Sequence, residues 1–224
     1  MDRRNILLAA AAAPLATAVP AVVPALDAPA SAATKDNSDT RFALAVLPDT
    51  QYLFDADSAD PAPLRETFRY LTEERDVVFM THLGDVTEHG TADEIELAGE
   101  TFRKLDGKLP YRVLAGNHDV SGDDQRGATA YLETFGPARY RRMKTFAGAS
   151  PDGYNTAHLL RAGGRQWLIL ALDWRISDKG LAWAEGILAR HKTVPAIVTT
   201  HDLAAATRKV SPRSRRTAGA SGTG

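Results

Sequence analysis

Gly116-Asn117-His118-Asp119 follows the apolar run Tyr111 to Ala115, so an amide, an imidazole and a carboxylate emerge together where a buried strand would reach solvent. Three other apolar runs end in the same way. Phe42 to Leu47 leads into Pro48-Asp49-Thr50-Gln51, Val77 to Leu83 into Gly84-Asp85, and Val194 to Thr200 into His201-Asp202. Asp49, Gln51, Asp85, Asn117, His118, Asp119 and His201 are thus donors that one sheet edge could gather around metal. A carboxylate such as Asp85 can bridge two cations about 3.5–4 Å apart, and water shared between them is acidified to hydroxide at neutral pH. A phosphate ester suits such a centre, because its oxygens coordinate while the hydroxide attacks in line. His118, with its other nitrogen paired to a carboxylate, is placed to protonate the leaving alkoxide.

Composition narrows the choice of metal and of partner. The chain has no cysteine, which excludes disulfides, thiol nucleophiles and thiolate metal sites. Oxygen and imidazole donors suit two divalent cations drawn from Mn, Fe, Zn or Mg. With 224 residues, 44% hydrophobic and 25% charged, the expectation is one soluble domain. Net charge is −1, but residues 208–224 hold five Lys/Arg and no acid, so the remainder carries −6. An acidic body suits cations and carries no nucleic-acid footprint.

The elements that must position these donors alternate. The run 41–47 predicts a buried strand, 61–75 an amphipathic helix opened by Pro61 and Pro63, and 76–83 a second strand. Thr91 and Glu94 have capping-box spacing at the start of a helix whose inner face carries Ile95, Phe102 and Leu105. This βαβαβ order implies a parallel sheet with its ligands at the carboxyl ends of the strands. Residues 127–135 predict a short helix and 136–153 a long loop. Tyr154 to Leu160 and Gln166 to Leu172 flank Gly163-Gly164 as a hairpin, Asp178 caps a helix over 179–191, and 194–200 is the last strand. His82 and His158 lie inside strands and are expected to be core residues, while His89 either reaches the rim of the cleft or is simply an exposed loop residue.

At the strand-end motifs the chain resembles the calcineurin-like metallophosphoesterases, whose ordered pattern is Asp-x-His, Gly-Asp, Gly-Asn-His-Asp/Glu, a single His and Gly-His-x-His. Asp49-Thr50-Gln51, Gly84-Asp85, Gly116-Asn117-His118-Asp119 and His201 stand for the first four, with Gln51 in place of His. The resemblance implies an α/β sandwich of two mixed sheets flanked by helices. It further implies hydrolysis of a phosphomonoester or phosphodiester, with a small-molecule substrate. By resemblance Asp49 and Gln51 serve the first metal, Asp85 bridges, Asn117 and His201 serve the second, and His118 with Asp119 acts on the leaving group. No Gly-His-x-His follows His201, so the second sheet is expected to be incomplete and the domain, 41–207, partial. The alternative is an inactive, truncated pseudoenzyme holding one metal or none.

The ends read differently. Arg3-Arg4, the apolar stretch Ile6 to Ala13 and the small residues around Ala30-Ser31-Ala32-Ala33 predict a Tat-like signal peptide over 1–33, hence export without a lasting membrane anchor, and 34–40 a linker. Beyond residue 207 the sequence turns basic and Ser/Gly-rich, which predicts a disordered tail over 208–224 and suggests a frame change or premature end of a longer gene.

Overall fold

The computed structural model describes residues 41–120 and 127–202. The expected signal peptide, linker and basic tail lie outside them. Among the described residues no helix is long and apolar enough to cross a membrane.

Strands β1 (Ala43–Leu47), β2 (Val77–His82) and β3 (Tyr111–Val113) form a three-stranded sheet in that order, parallel throughout. Helices α1 (Ala62–Glu73) and α2 (Ala92–Phe102) make the two crossovers, as alternating strands and helices require. Leu47 pairs with His82 and His82 with Val113, so the three strand ends are level and their following turns share one edge. All six residues of β2 are buried, because it lies centrally and is covered on both faces. Met80 and His82 face the helices, where His82 meets Phe102 edge-on; Phe79 faces the second sheet, where it meets His158.

The second sheet has the order β4-β5-β6-β7, from β4 (Phe146–Ala149), β5 (Thr156–Ala162), β6 (Arg165–Ala171) and β7 (Ala196–Thr199). Its first three strands are antiparallel, and β7 joins β6 in parallel after helix α5 (Asp178–Arg190). The β5–β6 turn is Gly163-Gly164 with φ of 57° and 77°, the left-handed pair that a two-residue hairpin demands. Alternation along the strands then sorts three layers of contact. Leu160, Ala162 and Ile169 pack on Val78 and Phe79 of the first sheet, while Ala157, Leu168 and Leu170 pack on Leu181, Ala184 and Ile187 on the α5 side. On the far side of the first sheet, Phe68, Ile95, Phe102 and Phe135 complete the largest core. The result is the expected α/β sandwich of two sheets flanked by helices.

The segment expected to be a long loop is largely ordered. After α3 (Ala130–Phe135), capped by Thr129, it contains a short helix α4 (Pro137–Tyr140) and strand β4. Phe146-Ala-Gly-Ala149 shows little hydrophobic alternation, and Gly148 sits at a register shift, so the strand is made by backbone pairing with β5. Arg112 of β3 fastens this region: its guanidinium, wholly buried, donates to the carbonyls of Phe135 and Tyr154 at 2.8 and 2.9 Å and to Tyr140 Oη at 3.0 Å. The cap of α5 also differs from expectation. Ser177 accepts from Gly180 N–H at 3.1 Å, and Asp178 is the first helical residue, where its charge still complements the helix end.

Candidate functional site

Three donors converge where the ends of β2, β3 and β7 meet. His201 Nε2 lies 3.1 Å from Asp85 Oδ2 and 3.1 Å from Asn117 Oδ1, and His201 Nδ1 lies 2.9 Å from the Leu83 carbonyl. Asp85 Oδ1 accepts from His118 N–H at 3.0 Å. Burial works to raise the Asp85 carboxyl, but the hydrogen bonds from His201 and the His118 backbone prevail and hold it below the usual carboxylate range. The same hydrogen bond with Asp85 raises His201. Asp85 has φ of 51°, the only left-handed non-glycine among the described residues, a conformation that costs about 1–2 kcal/mol. Local strain at the centre of a donor cluster is where such a cost is ordinarily tolerated.

His118 is oriented by a group that leaves no trace in a side-chain pattern. Its Nδ1 donates to the Glu88 carbonyl at 2.7 Å, which places the hydrogen of the neutral ring on Nδ1. The hydrogen bond thus goes to a backbone oxygen, while the carboxylate of the same residue, Glu88 Oε2, stands in ion-pair contact with Nδ1 at 3.7 Å. The Glu88 carbonyl raises His118 above its ordinary range. Asp119 does not touch His118 through its side chain. Its Oδ1 accepts from Thr87 N–H at 2.9 Å and Thr87 Oγ1 at 3.1 Å, and its Oδ2 from Gly116 N–H at 2.9 Å. It is 2% exposed, and burial pushes its pKa up to about 6. This carboxylate ties the turn that carries Asp85 to the turn that carries Asn117.

Each pair of neighbouring turns is joined by such a tie. Thr50, between Asp49 and Gln51, bonds through Oγ1 to His82 Nε2 at 3.0 Å and to the Val86 carbonyl at 3.2 Å. Asp119 links the second turn to the third. The loop after β6 links the third to the fourth, since Trp174 N–H donates to the Ala115 carbonyl at 3.2 Å and Thr200 Oγ1 to the Asp173 carbonyl at 3.1 Å. His82 and His158 are core residues as expected, and burial lowers both to about 3, so both are neutral at physiological pH.

The first turn contributes less plainly. Asp49 is exposed and close enough to His118 to raise it, while its Oδ1 accepts Gln51 N–H at 2.9 Å. Gln51 opens a 3-10 turn and is 7% exposed; no hydrogen bond joins its side chain to Asp49, Asp85, Asn117 or His201. A second donor group lies nearby. Asp55, His89 and Glu94 bring ligand atoms within 4.8 Å of one another. His89 is exposed as expected, but its Nδ1 pairs with Glu94 Oε1 at 3.1 Å, while Glu94 Oε2 accepts from His89 N–H and closes the capping box with Thr91. That box was legible in the sequence; the meeting with Asp55 was not, because nothing in the spacing brings residue 55 beside residue 89.

The family model described as calcineurin-like phosphoesterase matches residues 42–216. The uncharacterized protein YvnB of Bacillus subtilis (strain 168) is 29% identical over 129 residues, covering 56% of this chain and 10% of that protein. The chain thus spans about a tenth of the length of this curated relative. Among solved structures, a purple acid phosphatase, PPD1, from yellow lupin (Lupinus luteus) seeds covers 74% of this chain and 31% of its own, with 16% identity and a TM-score of 0.44.

Proposed function

This chain belongs to the calcineurin-like phosphoesterase family, and from that premise we propose that it hydrolyses a small-molecule phosphomonoester or phosphodiester with two divalent cations, Mn, Fe, Zn or Mg. The observation that carries the reading is that Asp85 Oδ2 and Asn117 Oδ1 each lie 3.1 Å from His201 Nε2 at the strand ends. A carboxylate, an amide oxygen and an imidazole are the donor types a hard or borderline divalent cation takes, and no sulfur competes for a softer one. When bound, the cations would polarise the phosphoryl oxygens and supply a nucleophile at neutral pH.

The remaining work falls to the chain. Asp85 would be shared by the two cations, Asn117 and His201 would help hold one, and Asp49 with Gln51 the other. As the imidazolium, which the Glu88 carbonyl on Nδ1 favours, His118 presents Nε2–H to the leaving oxygen, delivers that proton and is left neutral with its hydrogen on Nδ1. Asp119 keeps the Gly116 turn in register with Thr87 so that these groups stay aligned. We also propose that the protein is exported in folded form, on the strength of Arg3-Arg4 and the apolar stretch behind them.

The lack of any hydrogen bond from the Gln51 side chain to Asp49, Asp85, Asn117 or His201 favours a second reading, in which one cation is held at Asp85, Asn117 and His201 and there is no turnover. Elemental analysis of the purified protein, paired with hydrolysis of an aryl phosphate and its diester in added Mn, separates the two. Two metals per chain with turnover supports the enzyme; one metal or none without turnover supports the inactive form.

A further inference from the structure

Two groups outside the donor set stand between the first turn and the second. His82 is wholly buried at the end of β2, yet both its ring nitrogens are engaged. Nδ1 accepts from Gly84 N–H at 3.2 Å, which places the ring hydrogen on Nε2, and Nε2 donates to Thr50 Oγ1 at 3.0 Å. Thr50 Oγ1 passes its own hydrogen to the Val86 carbonyl at 3.2 Å, and Thr50 N–H donates to the Asp85 carbonyl at 3.0 Å. Every hydrogen bond in the chain Gly84, His82, Thr50, Val86 therefore has a fixed direction. The chain brackets Asp85 on both sides and grips the first turn through the residue between Asp49 and Gln51. A packing role alone needs none of this, since an apolar ring would fill the same space against Phe102.

We propose that His82 and Thr50 are positioning residues that set the separation of Asp49 from Asp85, and with it the spacing of the two cations; the inference rests on the two-metal reading above. A buried network whose donors are all matched admits one arrangement and resists small displacements. Groups that orient ligands without binding metal typically change metal affinity or activity by about 10–100-fold when removed.

The test compares Thr50→Val, which keeps the branched shape and removes the hydroxyl, with Thr50→Ser, which keeps the hydroxyl. Full-length wild type and both variants are titrated with Mn, their metal content is measured, and the His82 ring nitrogens are read by nitrogen-15 NMR on metal-free protein. The expected result is two Mn per wild-type chain, affinity at one site or both about tenfold or more weaker in Thr50→Val, near wild-type behaviour in Thr50→Ser, and a neutral His82 with hydrogen on Nε2. Wild-type Mn affinity at both sites in Thr50→Val, or a ring hydrogen on Nδ1, overturns the positioning role and leaves the two-metal reading standing. A wild type that takes up fewer than two Mn overturns that reading and this inference with it, so the wild-type titration tells the two failures apart.

Discussion

Gly84 and Gly116 stand back to back: a Cβ on Gly84 would lie 2.7 Å from the Gly116 amide nitrogen, and one on Gly116 would collide with Asp85. Gly84 also has φ of 91°, which side chains rarely adopt. The second and third turns approach this closely because neither carries a side chain at the point of contact, and the approach is what sets Asp85 beside Asn117 and His118.

Gly116→Ala must therefore push the turns apart. A destabilisation of about 1–3 kcal/mol is expected from the forced displacement, with reduced metal content in whatever remains folded. Thermal unfolding and elemental analysis check both, and a variant with unchanged melting and metal content would contradict the close approach.

His118→Gln should leave metal content intact and lower turnover by about 10²–10⁴-fold, the range for loss of a general acid. The loss should be smaller for esters with acidic leaving groups, which need no proton. A steady-state comparison of aryl and alkyl esters reads this difference.

Asp85→Asn should lower metal content, because a neutral amide replaces the charge shared between the cations. An Asp85→Asn variant with full metal content would remove the bridging role.

The pH dependence of stability has a defined sign at His158. Its folded pKa is about 3 against 6.5 for the unbound group, because burial opposes the charge. The unfolded chain takes up the proton first, so the stabilisation is complete above pH 6.5 and is lost as pH falls toward 3. His158→Phe should flatten the stability profile in that window by up to ~1.4 kcal/mol per pH unit relative to wild type. Denaturant unfolding across the window measures it.

Much of this arrangement could be read before any coordinates. The donors at the ends of four apolar runs, the capping box of Thr91 and Glu94, and the Gly163-Gly164 turn are local signals, each carried by residues within a few positions. What escaped is non-local or has no side chain to show it. The Glu88 carbonyl that orients His118 is backbone; the Thr50–His82 contact spans 32 residues; and β4, with Gly148 and two alanines, has no periodicity to betray a strand. Ser177 and Asp178 are both good caps, and only geometry chooses between them.

The hydrogen bond from His201 to the Leu83 carbonyl joins positions 118 residues apart, the last described strand end to the second. Closing so large a loop costs more entropy than the nearer contacts that join the first three turns. The first three turns can thus assemble while β7 is still undocked, and His201 completes the donor set only when the second sheet closes. A cation held by both Asp85 and His201 would then act as a reversible cross-link between the sheets, stabilising the native state in proportion to its concentration, in a chain that has no cysteine with which to form a permanent one.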